Sequence, residues 1–273
     1  MNLDAVAKTA LITAAERAVE TERNEMEGRL FTDPFARVLA GDEGFFLLER
    51  GRAELGDQPP AVALRTRYFD DRILHGLDQG IRQVVLLAAG LDARAYRLTF
   101  PEGTRLFELD RQGVLSYKQE KLGNASAHCE RRMVGVDLQG DWQGPLADAG
   151  MDRSRPTLWL MEGLLMYLEE AEVLALFAKI DLLSAPKSVL LFDVLGKSLL
   201  DSPNMAKQLQ LMEKLGAPWR FGSDEPEQLM DRRGWKSAVL HPGEVEPTRW
   251  PYPIPPRNVP KVPRGFLVEA QKP

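Results

Sequence analysis

From Gln83 onward the chain alternates between short apolar runs and segments of helical character, and this alternation constrains the fold more than any other feature. The run 84–87, Val-Val-Leu-Leu, contains no polar residue, which is typical of a strand buried on both faces of a sheet. Further strands are predicted at 106–109, 133–136, 158–161 and 189–192, with helices at 112–122 and 169–183. Strands that alternate with helices predict a mostly parallel sheet covered by helices on both faces.

The last two predicted strands, 238–240 and 266–268, have no helix between them, so we expect them to pair as an antiparallel ribbon at one edge of the sheet. The connection between them contains a proline-rich run from Pro247 to Pro263, which is too long for a tight hairpin. Connections of that length in compact domains are often functional. A parallel α/β sheet that ends in such a ribbon resembles the Rossmann-like methyltransferase fold and differs from a dehydrogenase sheet.

Residues 1–80 are predicted to form an N-terminal helical cap, and residues 81–273 a Rossmann-like core with substrate-side insertions. Apolar side chains recur at helical spacing from Ala5 to Val19. The pair Asp33-Pro34 is expected to start the next helix, with Asp33 as N-cap and Pro34 as first residue, and Gly41 is expected to end it.

Composition excludes several classes of protein. The net charge of −5 argues against a general nucleic-acid partner, which would require a basic face. A single cysteine, Cys129, excludes an internal disulfide and a multi-cysteine metal site. No apolar segment approaches the length of roughly 20 residues that is needed to cross a bilayer. Charged residues interrupt the first apolar stretch, whereas a signal peptide requires an uninterrupted apolar run. We therefore expect a soluble, cytoplasmic protein without a membrane partner; its oligomeric state cannot be read from the sequence.

The segment from Gln83 to Leu98, QVVLLAAGLDARAYRL, is the most informative of the chain. A buried strand runs into a turn of small residues, Ala88-Ala89-Gly90, and then into a short helix. Small residues there allow the backbone to approach a cofactor at the carboxyl edge of the sheet. An ordinary strand-to-helix turn is the alternative interpretation.

Two acidic residues follow the next two strands. Asp110 lies about 20 residues beyond the small-residue turn, the spacing of a carboxylate that binds ribose hydroxyls. The alternative for Asp110 is an N-cap of the helix that begins at Gln112. Asp137 ends the third strand, where its side chain can accept a hydrogen bond from an adenine amino group while the backbone of Leu138 donates to the ring. A simple turn residue is the alternative there.

Glu162 interrupts a very apolar stretch at the end of the fourth strand. A carboxylate is rarely buried without a partner, because its desolvation is unfavourable. A cationic ligand group, such as the amino group of a methionine moiety, would satisfy it. The alternative is a structural ion pair with an arginine of the cap.

Taken in order along nearly the whole chain, these segments resemble the leucine carboxyl methyltransferase family, in its bacterial branch of S-adenosylmethionine-dependent O-methyltransferases. The resemblance rests on Asp33-Pro34, the segment Arg65-Thr66-Arg67-Tyr68-Phe69-Asp70-Asp71, QVVLLAAGLDARAYRL, Phe107-Glu108-Leu109-Asp110, Asp137-Leu138, 162–167 and the proline-rich tail. The resemblance implies S-adenosylmethionine as cofactor, bound by Arg65, Ala88, Gly90, Asp110, Asp137, Leu138 and Glu162.

The same resemblance implies a role for each of these positions. The turn from Ala88 to Gly90 should pass under the methionine moiety, Asp110 should hold the ribose, and Asp137 and Leu138 should contact adenine. Arg65 should pair with the cofactor carboxylate, with Arg67 as the competing candidate, and Glu162 should face the methionine amino group.

One departure from the family concerns Ala88, where relatives usually have glycine. A positive φ at this position would strain an alanine and weaken cofactor binding, whereas a negative φ would only narrow the site.

The resemblance implies an O-methyltransferase that acts on a carboxylate or hydroxyl of a small molecule, such as a polyketide-like or other secondary metabolite. In-line methyl transfer requires no metal and no covalent enzyme intermediate, and no catalytic residue is assigned from the sequence. The three histidines, His75, His128 and His241, are predicted to lie away from the reacting methyl group. One alternative is a nicotinamide-dependent oxidoreductase, which should carry a G-x-G-x-x-G turn that is absent here. The other is a non-catalytic binding protein on the same fold, in which Ala88 blocks the cofactor site.

Overall fold

Seven strands form one sheet in which five parallel strands are followed by an antiparallel pair, in the order β3-β2-β1-β4-β5-β7-β6. The computed structural model describes residues 4–254, 256–257, 259 and 262–273. The strands are β1 (Gln83–Leu87), β2 (Arg105–Asp110), β3 (Glu130–Gly135), β4 (Leu158–Met161), β5 (Val189–Leu195), β6 (Lys236–Leu240) and β7 (Gly265–Gln271). The predicted parallel sheet with an antiparallel edge ribbon is confirmed.

Helices precede the sheet and cover both of its faces. Over the described ranges they are α1 (Ala5–Glu22), α2 (Ala36–Leu55), α3 (Ala61–Asp78), α4 (Arg94–Arg97), α5 (Gln112–Leu122), α6 (Gln143–Asp148), α7 (Glu170–Leu183), α8 (Lys197–Leu200), α9 (Ala206–Lys214), α10 (Gln228–Asp231) and α11 (Pro242–Val245). Short 3-10 helices lie at Glu25–Glu27, Leu165–Tyr167, Pro203–Met205 and Pro247–Arg249. No helix in this part of the chain is both long and apolar enough to cross a membrane.

The side chains of β1 explain why both faces are covered. Val84 and Leu86 join the hydrophobic cluster beneath α1, α2 and α3, whereas Val85 and Leu87 join the cluster that contains α6 and α7. Successive side chains of a strand point to opposite faces, so a strand without polar residues requires an apolar layer on each side.

The start of α2 differs from the prediction. Asp33 is not its N-cap, a position that Phe35 occupies without a side-chain hydrogen bond. The Asp33 carboxylate is buried and accepts hydrogen bonds from the Phe35 N–H at 3.1 Å and from Nε of Arg17 at 2.9 Å, so it ties α1 to the chain before α2. Gly41, at φ +57° and ψ −176°, interrupts the helix as a kink but does not end it, since the chain is helical again to Leu55.

Candidate functional site

A large cavity of about 1490 Å³ lies at the carboxyl edge of the parallel strands. Its walls come from α1, from the connection between α2 and α3, from the loops after β1 to β5, and from the segment after β6. Parallel strands present their carboxyl ends at one edge of a sheet, which is where ligands bind in this class of fold. The volume exceeds the roughly 300–1,000 Å³ of a site for one small ligand.

The small-residue turn after β1 lines this cavity and has an unusual backbone. Ala88 has φ +53° and Gly90 has φ +49°, so both lie in the left-handed region. The Ala89 N–H donates to the carbonyl of Leu109, and the Gly90 N–H donates to Oδ2 of Asp110 at 2.7 Å. The turn after β1 is therefore held against the end of β2. The backbone of Ala88 is strained, because an alanine in the left-handed region costs about 1–2 kcal/mol.

Asp110 faces the cavity from the end of β2. It does not cap α5, whose N-cap is Arg111 without a side-chain hydrogen bond. Its oxygens accept from the backbone N–H groups of Gly90 and Arg111, both at 2.7 Å. Burial raises the pKa of Asp110 above its usual value, against the lowering effect of these two N–H groups. Since an ionised carboxylate offers about four lone-pair sites, Asp110 retains capacity for a further donor.

Glu108, two residues earlier on β2, has a different role. It is fully buried and pairs with Nζ of Lys118 at 2.9 Å and with Nη2 of Arg131 at 2.7 Å. These ion pairs tie α5 and β3 to β2, although Nζ of Lys118 and Oε1 of Glu108 approach each other without the geometry of a hydrogen bond. A carboxylate enclosed in this way is structural.

Asp137 and Leu138 follow β3 and also line the cavity. The Asp137 side chain is exposed, and its Oδ1 accepts from the Gln139 N–H at 2.9 Å, as an aspartate does in a tight turn. Leu138 is half-buried and packs against the apolar cluster on the α7 side of the sheet. The pair therefore provides an acidic group and an apolar side chain at a distance from Glu162, because two strands, β2 and β1, lie between β3 and β4 in the sheet.

The end of β4 carries a pair of opposite charges. Nε of Arg65, on α3, donates to Oε1 of Glu162 at 3.0 Å, and Nη1 of Arg65 donates to Oδ2 of Asp193, at the end of β5, at 2.8 Å. The other oxygen of Asp193 accepts from the Gly163 N–H at 2.6 Å. The ion pair that the sequence left as an alternative for Glu162 is present, and its arginine comes from the helices before the sheet. Arg65 and Glu162 nevertheless line the cavity.

Glu162 also contacts a second arginine. Its Oε2 lies 2.8 Å from Nη1 of Arg94, and Nε of Arg94 donates to Asp70 at 2.6 Å. Burial would raise the pKa of Glu162, but the charges of Arg94 and Arg65 outweigh it and lower that pKa, so Glu162 is ionised at neutral pH. Arg67, the competing candidate, lies outside the cavity lining and donates to Asp71 and to the carbonyl of Leu30.

The cavity lining also contains charged and polar residues that were not predicted as site residues, among them Glu16, Arg94, Asp193 and His241. Asp193 had a signal in the sequence, because it interrupts the apolar run of β5 as Glu162 interrupts that of β4. Arg94 lies within the segment QVVLLAAGLDARAYRL. His241 follows edge strand β6 and lines the cavity as the N-cap of α11, and its distance from the reacting methyl group stays a prediction. Glu16 shows no signal beyond being a charged residue in an apolar helical stripe.

The sequence of this chain matches the family model for leucine carboxyl methyltransferases over residues 10–181. The chain belongs to the leucine carboxyl methyltransferase family. A relative from Parafrankia sp. (strain EAN1pec) is 37% identical over 98% of this chain and 87% of its own length. One from Streptomyces coelicolor is 38% identical over 93% of this chain and 89% of its own length. Both are named as candidate S-adenosyl-L-methionine-dependent methyltransferases.

Solved structures agree with this family assignment at the level of the fold. A candidate methyltransferase from Thermobifida fusca superposes with a TM-score of 0.64 at 18% identity, over 87% of this chain and 92% of that one. A protein of Streptomyces avermitilis superposes with a TM-score of 0.63 at 13% identity, over 95% and 97%. Membership in the leucine carboxyl methyltransferase family confirms the predicted family and decides against the nicotinamide-dependent oxidoreductase.

Proposed function

We propose that this S-adenosylmethionine-dependent methyltransferase transfers its methyl group to an oxygen of a small molecule, either a carboxylate or a hydroxyl. The observation that carries the proposal is the convergence of Asp110, Asp137 and Glu162 with the Ala88–Gly90 turn in one cavity at the carboxyl edge of the sheet. Family membership supplies the reaction class, and the cavity volume supports a site for cofactor and acceptor together.

The donor and acceptor groups of the cavity fit each part of the cofactor. Asp110 has free lone pairs for a ribose diol, and Asp137 with Leu138 offers an acceptor and an apolar surface for adenine. Glu162 is an ionised carboxylate for the methionine ammonium group. Nη2 of Arg65 has no hydrogen-bond partner among the described residues, so it has donors for the methionine carboxylate.

Glycine at position 163 supports the role of Arg65. Gly163 has φ +67°, and a Cβ atom there would lie 3.3 Å from Nη2 of Arg65. A side chain at this position would therefore be strained and would crowd the guanidinium that we assign to the cofactor carboxylate.

When bound, the cofactor supplies a methyl group on a sulfonium sulfur, already activated for displacement. The protein holds an acceptor oxygen in line with that methyl group and excludes water from the cavity. The apolar and aromatic lining, which includes Tyr167, Trp219 and Trp250, supports an organic acceptor over a highly charged one.

The test is calorimetric titration of the purified chain with S-adenosylmethionine, S-adenosylhomocysteine and NAD. We expect both sulfur compounds to bind and NAD not to bind, because the assigned contacts touch only the adenosine and amino-acid parts. Incubation with S-adenosylmethionine and panels of carboxylic acids, phenols and alcohols, followed by mass spectrometry, then identifies the acceptor class. Failure of both sulfur compounds to bind at millimolar concentration would overturn the proposal, and binding without any methylated product would favour the non-catalytic alternative.

A further inference from the structure

The carboxylates that line the cavity differ in whether they have partners. Among the described residues there are eight: Glu16, Glu20, Asp57, Asp92, Asp110, Asp137, Glu162 and Asp193. Six of them accept hydrogen bonds from named donors; Glu16 and Asp57 accept none in this part of the chain. Asp57 is exposed on a loop, whereas Glu16 is half-buried on α1. Glu16 is thus the cavity carboxylate that is both sheltered and available.

Glu16 lies close to the part of the cavity assigned to the methionine moiety. Helix α1 crosses the turn after β1: the Cβ atom of Ala10 lies 3.5 Å from where a Cβ of Gly90 would be, and Nη2 of Arg17 donates to the carbonyl of Leu91 at 2.7 Å. Glu16 lies between these two anchor points, next to Arg17 in sequence. Arg65, which we assign to the cofactor carboxylate, is the arginine whose charge acts most strongly on the Glu16 carboxylate, so the two groups are neighbours in the cavity.

Charged groups from three helices face Glu16. They are Arg52 from α2, Arg65 from α3 and Arg17 on α1 itself, and Glu16 forms a salt bridge with none of them among the described residues. Burial raises the pKa of Glu16 to about 7, because the desolvation of its carboxylate outweighs the attraction of these arginines. A general base works best when its pKa lies near the operating pH.

His241 is the other cavity residue that could accept a proton. Its Nδ1 already accepts from the Gly243 N–H at 3.0 Å, as the N-cap of α11. In the neutral ring the proton then resides on Nε2, which can only donate. Burial lowers the pKa of His241, so this neutral form prevails at neutral pH. His241 is therefore a candidate donor to an acceptor molecule and not its base.

Aromatic rings lie at the same end of the cavity. Glu20, one helical turn after Glu16, pairs with Nη2 of Arg249 at 2.8 Å, which ties the chain before Trp250 to α1. The Trp250 ring lies 4.8 Å from the ring of His241 and 6.4 Å from the ring of Tyr252, both measured between centroids. All three rings line the cavity. Aromatic side chains prefer edge-to-face and offset contacts with further rings, so this wall suits a planar aromatic ligand.

We propose that Glu16 is the general base of the reaction and that the methyl acceptor is a phenolic hydroxyl whose proton Glu16 accepts. This inference rests on the proposed methyltransferase function. A carboxylic acid acceptor is already ionised and needs no base. An aliphatic alcohol is much less acidic than a phenol, whose pKa of about 10 is within reach of a carboxylate base of this strength.

The O–H bond of the phenol breaks and its proton passes to the Glu16 carboxylate. The electron pair left on the phenolic oxygen forms the new bond to the methyl carbon, while the bond from that carbon to sulfur breaks and its electrons remain on sulfur. The products are a methyl aryl ether and S-adenosylhomocysteine, and Glu16 returns its proton to water.

The test uses the full chain and a series of substituted phenols of increasing acidity, from unsubstituted phenol to nitrophenols, with S-adenosylmethionine as donor. Glu16→Gln should lower kcat/KM for the weakly acidic phenols by about 10²–10⁴-fold, and much less for a nitrophenol that is already ionised. The wild-type kcat/KM should fall as the pH drops below about 7, and Glu16→Gln should lose this dependence. The matched control is Glu22→Gln, on the exposed face of the same helix, where the carboxylate pairs with Arg37.

The possible results are distinguishable. An equal loss for all phenols would show that Glu16 only positions the acceptor, which overturns the base assignment. Methylation of carboxylic acids but of no phenol would overturn the proposed acceptor class and leave the methyltransferase function standing. If the wild-type protein does not bind S-adenosylmethionine, the proposed function itself is overturned. If Glu16→Gln does not fold, Glu16→Asp retains a carboxylate and should keep the acid limb of the pH profile at reduced rate.

Discussion

Arg65 and Glu162 are 97 residues apart in sequence and form a salt bridge of 3.0 Å at the edge of the cavity. Their side chains are only 13% and 16% exposed, and Asp193 binds the same guanidinium at 2.8 Å. The pair therefore joins α3 to the ends of β4 and β5 and also lines the proposed cofactor site. Arg65 can stabilise the fold through this ion pair and also bind the cofactor, because neither carboxylate accepts a hydrogen bond from its Nη2.

We predict that Arg65→Ala lowers both stability and cofactor affinity. Removing the guanidinium takes the cationic partner from Asp193 and leaves Glu162 with Arg94 alone, so the free energy of unfolding should fall, by at most about 3–5 kcal/mol. Arg67→Ala is the matched control, because Arg67 is two residues away on α3 and pairs with Asp71 at the surface, where a salt bridge contributes at most about 1 kcal/mol. Urea unfolding and calorimetry with S-adenosylmethionine measure the two quantities. Unchanged affinity in surviving Arg65→Ala protein would contradict its assignment to the cofactor carboxylate.

Loss of charge at the two acidic residues of β2 should affect different properties: cofactor affinity for Asp110 and stability for Glu108. Asp110→Asn should weaken S-adenosylmethionine binding by about 1.5–3 kcal/mol, the value of a hydrogen bond to a charged group, with a smaller effect on melting temperature. Glu108→Gln should destabilise the protein, because it leaves Lys118 and Arg131 without their buried partner, and should leave the affinity of the folded protein unchanged. Both variants need thermal melts and titrations. The assignment of Asp110 fails if Asp110→Asn binds the cofactor as wild type does.

Backbone strain at Ala88 makes a further prediction. Ala88→Gly relieves a left-handed alanine, which stabilises by about 1–2 kcal/mol, but the more flexible unfolded chain costs about 0.4–1 kcal/mol. The protein should therefore become more stable, by up to about 1.6 kcal/mol. Ala89→Gly is the control: Ala89 does not have a positive φ, and glycine there should destabilise by about 0.5–1 kcal/mol. Opposite shifts in melting temperature would confirm the strain, and a lower melting temperature for Ala88→Gly would refute it.

The sheet could be predicted because its signals are local. Each predicted run of three or four residues lies in the strand it predicts or extends one residue beyond it. The antiparallel edge was predicted from the expectation that no helix lies between the last two strands; the edge is antiparallel, although the four-residue helix α11 and a 3-10 helix lie in that connection. The predicted start of α2 was wrong because an aspartate can serve either as an N-cap or as the partner of a distant cation. In the folded chain the buried contact of Asp33 with Arg17 prevails over its local preference for capping.

The site was only partly predictable, for reasons of distance along the chain. Asp110 and Glu162, which line the cavity, could be proposed from the sequence because a charge after a buried strand is conspicuous in any sequence. The contact between Arg65 and Asp193 spans 128 residues and depends on how α3 docks against the sheet. Periodicity places Glu16 on a helix but cannot reveal that this part of the helix covers a cavity. The positive φ of Ala88 was left open because alanine rarely adopts it.

The pH dependence of stability gives a test of Glu16 that needs no substrate. Its pKa is about 7 in the folded protein and about 4.5 when exposed, so between these values the folded state binds more protons than the unfolded state. Stability from this group is therefore greatest at low pH and is lost as the pH rises toward and through 7.

Glu16→Gln removes the titrating group and keeps the size of the side chain. Its free energy of unfolding should rise relative to wild type between about pH 5 and pH 8, by about 1–3 kcal/mol for this half-buried group. Glu22→Gln, which removes an exposed carboxylate of the same helix, should follow the wild-type curve at a constant offset. Urea unfolding at several pH values measures all three proteins. Parallel curves for wild type and Glu16→Gln would mean that the carboxylate of Glu16 titrates as in water, and the environment required of a general base would then be absent.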